Sequence, residues 1–481
     1  MKKIDIAQLT IQKAHDAMKS GDFTAVDLAT VYLENIKKLD SEIHAYLEVF
    51  TDVIEQAEAA DARFKDGTAT LLTGIPCAVK DNILIRGRIS SCASKMLEKY
   101  VATYDATAIS KLRAEGVVFI GRTNMDEFAM GGSTENSAFG VTKNPHDVSR
   151  VPGGTSGGSA AAIAANMALI SLGSDTGGSI RQPSAFCGVV GLKPTYGSVS
   201  RYGLTAAVSS LDQIGPITRT VADAEILFNA IRGKDVMDGT TISETTYGEK
   251  SASKNAKLTI GIPRAFMKLG GISPAVQDAF AAAELRFKKL GYTIVDVDLP
   301  NNAFALPVYY IINFAEVSSN LSRFDGVRYG FHKDGTTGVE DYFESRAEGF
   351  GREARRRILL GTYVLSSGYY DAYYNRANAL RRLITGDFNT AFKKVDILMT
   401  PTAPSPAFKI GEKVSDPVAM YLEDIFTVTA NLTGLPAMSI PAGMTQVDAT
   451  GNPSIPLAVQ LTASHGAEKV LFQAGKDFLG E

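Results

Sequence analysis

Apolar residues recur at helical spacing in the first part of the chain and break into short runs after residue 70. Thr24-Ala-Val-Asp27 has the form of a capping box, and Leu28, Val31, Ile36 and Leu39 follow near the period of an amphipathic helix. Residues 1–66 are therefore predicted to be a helical N-terminal region, a scaffold or docking surface rather than a seat of catalysis. Between residues 72 and 85 the apolar runs are short and broken by Gly74 and Pro76, the pattern of core strands. Residues 105–115 predict a helix, 117–120 a strand and 124–130 a short helix. Residues 160–172 are small and apolar nearly all round, which predicts a buried helix. That segment is too short to span a bilayer, and Asn166 interrupts it.

In the second half, residues 258–262 and 293–297 predict strands around a helix that starts with Ser273 as N-cap and Pro274 at its first position. Helical segments occupy roughly 309–393, and residues 396–400, 437–440 and 457–461 read as returning strands. Residues 233–257 are rich in Ser, Thr, Gly and Lys, the composition of an exposed connection. Alternating strands and helices predict an α/β protein with helices on both faces of a sheet.

Composition narrows the function classes. Of 481 residues, 45% are hydrophobic and 21% charged, an ordinary balance for a soluble globular protein. A net charge of −3 gives no electrostatic footprint for nucleic acid. Cys77, Cys92 and Cys187 make an odd count without metal-ligand spacing, which predicts a reduced cytosolic protein. Met-Lys-Lys-Ile-Asp at the start is not followed by the apolar core of a secretory signal. His15, His44, His146, His332 and His465 show no metal-binding spacing and are expected to be surface or structural residues.

The candidate chemistry lies in two glycine-serine turns, Arg150-Val-Pro-Gly-Gly-Thr-Ser-Gly-Gly-Ser159 and Gly173-Ser-Asp-Thr-Gly-Gly-Ser-Ile-Arg-Gln-Pro183. Such glycines let backbone N–H groups approach a ligand without side-chain obstruction. The hydroxyls of Thr155, Ser156 and Ser179 stand at their edges. A phosphate-binding loop is excluded because Ser159 occupies the position of its lysine. Gly154-Thr-Ser156-Gly-Gly158 matches a nucleophile elbow, but residues 143–152 before it read as loop rather than strand. A glycine-rich packing turn with solvated serines is the plain alternative. Gly131-Gly-Ser-Thr-Glu135 is a further glycine-hydroxyl turn that either borders a pocket or forms a simple loop. Lys80, in Pro76-Cys-Ala-Val-Lys-Asp-Asn-Ile83, is flanked by apolar residues. Burial there would depress its pKa and make it a general base, unless its head reaches water.

The stretches Gly153-Gly-Thr-Ser-Gly-Gly-Ser159 and Asp175-Thr-Gly-Gly-Ser-Ile-Arg181 resemble the signature of the amidase signature family. The likeness continues through Gly188-Val-Val-Gly-Leu-Lys-Pro-Thr-Tyr-Gly197, Ser200-Arg-Tyr-Gly203 and Ser209-Ser-Leu-Asp-Gln-Ile-Gly-Pro216. It implies one large α/β/α domain with a mixed central sheet, a catalytic part at 67–481 and a signature core at about 71–223. It also implies a Ser–Ser–Lys triad, with Ser179 as nucleophile, Lys80 as base and a bridging hydroxyl at residue 155. The family most often has serine there; Thr155 keeps the hydroxyl but adds a methyl that stiffens χ1. Amides of Thr176, Gly177 and Gly178 are the implied oxyanion hole, with Asp175 and Arg181 holding the turn.

Within the family these stretches are most similar to glutamine-hydrolysing subunits of tRNA-dependent amidotransferases. That similarity implies Arg357 for the α-carboxylate of glutamine and Asp424 for its α-ammonium, with Tyr309 and Tyr310 as pocket wall. Arg355 or Arg356 is then left as a solvated charge. The ammonia released would amidate Glu-tRNA(Gln), with Asp-tRNA(Asn) left open. The implied partners are a B subunit that binds tRNA, ATP and Mg2+ and a small C subunit that wraps this chain, a cytoplasmic heterotrimer. No cofactor, metal or membrane is implied for this chain itself. A stand-alone amidase for small carboxamides and a non-catalytic scaffold remain open as other classes.

Overall fold

Among the described residues (4–243, 258–268, 271–446 and 454–481 of the computed structural model) eleven strands join in one sheet. They are β1 (Tyr46–Val49), β2 (Pro76–Lys80), β3 (Val118–Thr123), β4 (Ile170–Asp175), β5 (Val190–Lys193), β6 (Gln213–Thr218), β7 (Thr259–Ile262), β8 (Thr293–Asp296), β9 (Ile397–Pro401), β10 (Ala437–Met444) and β11 (Pro456–Ala463). Their order is β1-β3-β2-β4-β6-β5-β10-β11-β9-β7-β8. The sheet is mixed. β3, β2 and β4 run parallel, as do β9, β7 and β8, and the strands between and at the β1 edge pair antiparallel.

Both faces are covered. In β9, Ile397 and Met399 belong to one apolar cluster, while Leu398 between them belongs to another. Because neighbouring side chains on a strand point to opposite faces, each face meets its own layer of helices. No helix among the described residues is long and apolar enough to cross a membrane.

Local signals are realised where they are strongest. Thr24 and Asp27 form the full capping box at the start of Ala25–Ile43, and Ser273 caps Pro274–Lys289 through the Val276 amide. Other predictions shift. The region to residue 66 is not wholly helical: β1 pairs with β3, so it supplies the edge of the sheet. The helix predicted at 160–172 is Gly157–Ala164, and its apolar sequence continues as β4. Full burial on all sides suits a buried helix and a central strand equally, so the pattern could not divide them. The helix predicted at 124–130 is a 3-10 turn, Glu127–Ala129. Of the predicted connection at 233–257, residues 244–257 lie outside the described residues.

Two glycines set close approaches that matter for the site. A Cβ on Gly158 would lie 2.5 Å from the carbonyl oxygens of Ala45 and Asn124, so the helix Gly157–Ala164 rests on backbone. A Cβ on Gly361 would lie 1.8 Å from the Phe314 carbonyl oxygen, where helix Arg352–Leu365 crosses helix Ala305–Asn320. Backbone cannot move aside as a side chain can. Gly158→Ala is expected to destabilise the protein by about 1–3 kcal/mol, the usual cost of overpacking. Thermal unfolding checks it, and an unchanged Tm would show that the helix can shift.

Candidate active site

The parallel strands β3, β2 and β4 end at the same edge of the sheet, the usual place for a ligand crevice in an α/β protein. Lys80 is the last residue of β2, and Ser174 and Asp175 are the last two of β4. Lys80 is wholly buried. Its Nζ lies 2.7 Å from Thr155 Oγ1, 2.9 Å from Ser174 Oγ and 3.2 Å from the Ser174 carbonyl oxygen. Burial lowers the lysine pKa to about 7, against the opposing pull of Asp126, Asp175 and Asp212. A neutral amine has two hydrogens and one lone pair. Two hydrogens directed at Ser174 leave the lone pair to accept the Thr155 hydroxyl proton.

The two turns predicted from sequence are stitched together by backbone. The Ser156 N–H donates to the Ser179 carbonyl at 3.1 Å, so residue 155 is brought directly beside the Ser179 turn. Gln182 fastens the same junction. Its Oε1 accepts the Gly154 N–H at 2.9 Å, and its Nε2 donates to the Gly132 carbonyl at 2.9 Å. Ser179 keeps 7% of its surface open, and among the described residues its hydroxyl has no hydrogen-bond partner. Ser156 differs: wholly buried, it accepts the Ser174 N–H at 3.3 Å and donates to the Ser174 carbonyl at 3.1 Å. No strand among the described residues leads into it. The elbow geometry is absent, and Ser156 is a structural hydroxyl.

Asp175 and Arg181 flank Ser179 and face each other as a buried, two-pronged pair, at 3.0 Å (Nε to Oδ2) and 2.9 Å (Nη2 to Oδ1). Asp175 also accepts the amides of Gly178 (2.9 Å) and Ile180 (3.1 Å). The Gly178 N–H predicted for the oxyanion hole is thus already engaged. Among the described residues the amides of Thr176 and Gly177 have no acceptor, so these two remain available to an oxyanion. Thr176 is itself held by its hydroxyl, which donates to Asp212 at 2.7 Å.

The four residues predicted for substrate binding converge on the far side of this turn. Tyr309 abuts it: a Cβ on Gly177 would lie 2.2 Å from the Tyr309 hydroxyl. Tyr310 donates its hydroxyl to Asp424 at 2.6 Å and stacks on Tyr421, with centroids 4.2 Å apart. Burial raises the Asp424 carboxyl to about 7, although Tyr310 and Arg357 pull it down. Thr427 links this side back, donating its hydroxyl to the Gly177 carbonyl at 2.6 Å. Arg357 is buried on the inward face of its helix with Glu353, Ala354, Gly361 and Val364, whereas Arg355 is exposed and Arg356 half-buried.

Several site residues escaped the sequence. Glu353 accepts Arg357 Nε at 2.8 Å and the Tyr421 hydroxyl at 2.8 Å, and Asn313 takes Arg357 Nη1 at 3.2 Å. Asn82 donates to Ser174 Oγ at 2.9 Å, completing the cage around the lysine. Glu353 was discoverable, since it stands one helical turn before Arg357. Nothing in the sequence marks Ser174 or Asn313.

The sequence model of the family described as Amidase matches residues 27–472. A relative from Ruminiclostridium cellulolyticum, described as the A subunit of glutamyl-tRNA(Gln) amidotransferase, is 48% identical over 99% of this chain and 98% of its own. A second protein of that description, from Caldanaerobacter subterraneus subsp. tengcongensis, is 49% identical over 96% and 94%. The crystal structure of the corresponding glutamyl-tRNA(Gln) amidotransferase chain from Thermotoga maritima superposes with a TM-score of 0.81 at 40% identity, covering 99% of this chain and 95% of that one.

Burial alone would raise the Asp175 carboxyl, but the Arg181 guanidinium holds it well below the usual carboxylate range. Its stabilisation is therefore present above that range and lost only as pH falls through the lower, folded value. Asp175→Asn leaves a buried guanidinium without its counter-charge, which typically costs about 3–5 kcal/mol. The expected result is a large fall in Tm at neutral pH, measured by calorimetry, together with loss of activity.

Proposed function

The chain belongs to the amidase signature family, and from that premise we propose that it is the glutamine-hydrolysing chain of a glutamyl-tRNA(Gln) amidotransferase. One observation carries this reading. A buried amine and hydroxyls stand on one side of the Gly177–Gly178 turn, and Arg357 with Asp424 on the other. A plain carboxamide offers nothing to a buried guanidinium and carboxylate. An amino acid offers both an α-carboxylate and an α-ammonium.

In the proposed reaction Ser179 Oγ attacks the side-chain carbonyl carbon of glutamine. Its proton passes to Thr155 Oγ1 while Thr155 gives its own to neutral Lys80. The carbonyl oxygen becomes an oxyanion and accepts the Thr176 and Gly177 amides. The C–N bond then breaks, the proton returns along the same hydroxyls to nitrogen, and ammonia leaves an ester on Ser179. Water, deprotonated by the same relay, attacks that ester; glutamate departs and Ser179 regains its proton.

The ammonia serves a partner. We assign tRNA, ATP and Mg2+ to a B subunit, with a wrapping role for a small C subunit. The net charge of −3 supports placing the tRNA contacts elsewhere. Three free, buried thiols suit a reducing cytoplasm. The amidated product is Gln-tRNA(Gln).

Two experiments test the reading. Arg357→Ala should raise KM for glutamine sharply, because truncating one partner of a buried charge contact commonly costs about 2–5 kcal/mol. Unaltered glutamine kinetics, with equal turnover of simple amides, would favour a stand-alone amidase.

The second concerns the relay. Thr155→Ser should keep most activity, and Thr155→Val should lose about 10²-fold or more, the scale of a general acid–base contribution. Lys80 must be neutral to accept a proton, so kcat/KM should rise with pH through about 7 and level off above it. Asp424, also raised to about 7, adds to the rise for glutamine but not for an amide without a head group. A fully active Thr155→Val enzyme would remove that hydroxyl from the mechanism.

A further inference from the structure

Two adjacent acidic residues stand between the relay turn and the helix that carries Arg357. The Asp126 N–H donates to the Thr155 carbonyl at 3.3 Å. The Asp126 carboxylate accepts the amides of Ser133 at 3.3 Å, Thr134 at 2.8 Å and Asn136 at 3.1 Å, which fixes the loop around it. Glu127 faces the other way. It is 3% exposed, and it accepts the Gly351 N–H at 2.8 Å and the Ser94 hydroxyl at 2.5 Å.

Gly351 is the N-cap of helix Arg352–Leu365 and has no side chain of its own to cap it. Glu127 supplies that cap from a distant segment, with its carboxyl where the helix dipole favours negative charge. The fit is close, since a Cβ on Gly351 would lie 2.5 Å from Glu127 Oε2. Farther along, the same helix is pressed against the Phe314 carbonyl at Gly361. Glu353, Arg357 and Gly361 are spaced by four residues on one buried face. Arg357 therefore sits between two fixed points, one at Glu127 and one at Gly361.

We propose that Glu127 is a positioning residue for the amino-acid head group. With Asp126 it forms a short strut that sets how far Arg357 stands from Thr155 and Ser179. It touches neither substrate nor the reacting atoms. The inference rests on the reading of glutamine as substrate, because only a substrate with an α-carboxylate requires that spacing. Glutamine in place of Glu127 preserves the strut: its carbonyl oxygen accepts the Gly351 N–H, and its amide donates to Ser94 Oγ. Aspartate keeps the carboxyl but is one methylene too short.

The test compares glutamine with butanamide, which has the carboxamide but no head group, in the wild type and in Glu127→Ala, Glu127→Asp and Glu127→Gln. Glu127→Ala and Glu127→Asp should raise KM for glutamine by about tenfold or more, the scale on which misplaced binding groups act, with kcat little changed. Butanamide hydrolysis should stay at the wild-type rate, and Glu127→Gln should restore glutamine KM. If Glu127→Ala fails to fold, Glu127→Asp and Glu127→Gln give the same comparison. Equal losses for both substrates, or no loss for either, overturn the strut. A wild-type enzyme that prefers butanamide overturns the glutamine reading itself, and the strut with it.

Discussion

The buried pair of Asp175 and Arg181 is the knot through which the separate parts of this molecule meet. Beyond their mutual contact, Arg181 donates to the Thr427 carbonyl at 2.8 Å, to Gln460 Oε1 at 2.6 Å and to Asn431 Oδ1 at 2.6 Å. Asn431 in turn donates to Asp175 at 2.8 Å. Ser179 lies in the short turn between the two charged residues. Its backbone is thereby tied to β4, to β11 and to the segment that carries Asp424. A buried charge is costly unless paired and fully hydrogen-bonded, and here each prong of the guanidinium has an acceptor. The expense is offset by rigidity at the one turn that needs it.

Lys80 shows the opposite use of burial. Among the described residues no carboxylate contacts its amine; hydroxyls and a carbonyl do. Asp126, Asp175 and Asp212 are near enough to favour the charged form, yet desolvation outweighs them. Each of these aspartates is occupied by amides, hydroxyls or a guanidinium. The result is an amine able to exist neutral near pH 7, which a lysine paired to a carboxylate could not be. The same low-dielectric surroundings raise Asp424 toward 7, so the proposed base and the proposed head-group carboxylate change state in the same range.

The proposed hydroxyl relay and the proposed amino-acid pocket are built on different layers. Lys80 and Ser174 belong to strand ends and Thr155 to the turn before the helix Gly157–Ala164, whereas Arg357, Tyr309 and Tyr310 stand on two crossing helices. The Gly177–Gly178 turn touches both, through Tyr309 and Thr427. Side chains at either glycine would collide with those residues, so the join depends on glycine at both positions.

The sequence by itself determined what short-range chemistry determines. The capping box at Thr24 and the Ser273–Pro274 helix start are written in neighbouring residues and are found where they were predicted, while the two glycine-serine stretches form turns that run into the helix Gly157–Ala164 and out of β4. Lys80 and Ser179 were legible as candidates because their flanking residues are distinctive. What the sequence left open was direction. Whether Ser156 or Ser179 is accessible depends on which one β4 covers, and that is decided by strands far apart in the chain. β6 was not predicted: glycine and proline are unfavourable inside a strand, yet Pro216 pairs across from Leu172 within the sheet. Ser174, Asn313 and Glu127 became visible only in three dimensions. A serine or glutamate has the same local signature on a surface as in a site, and only tertiary packing removes the water that would otherwise be its partner.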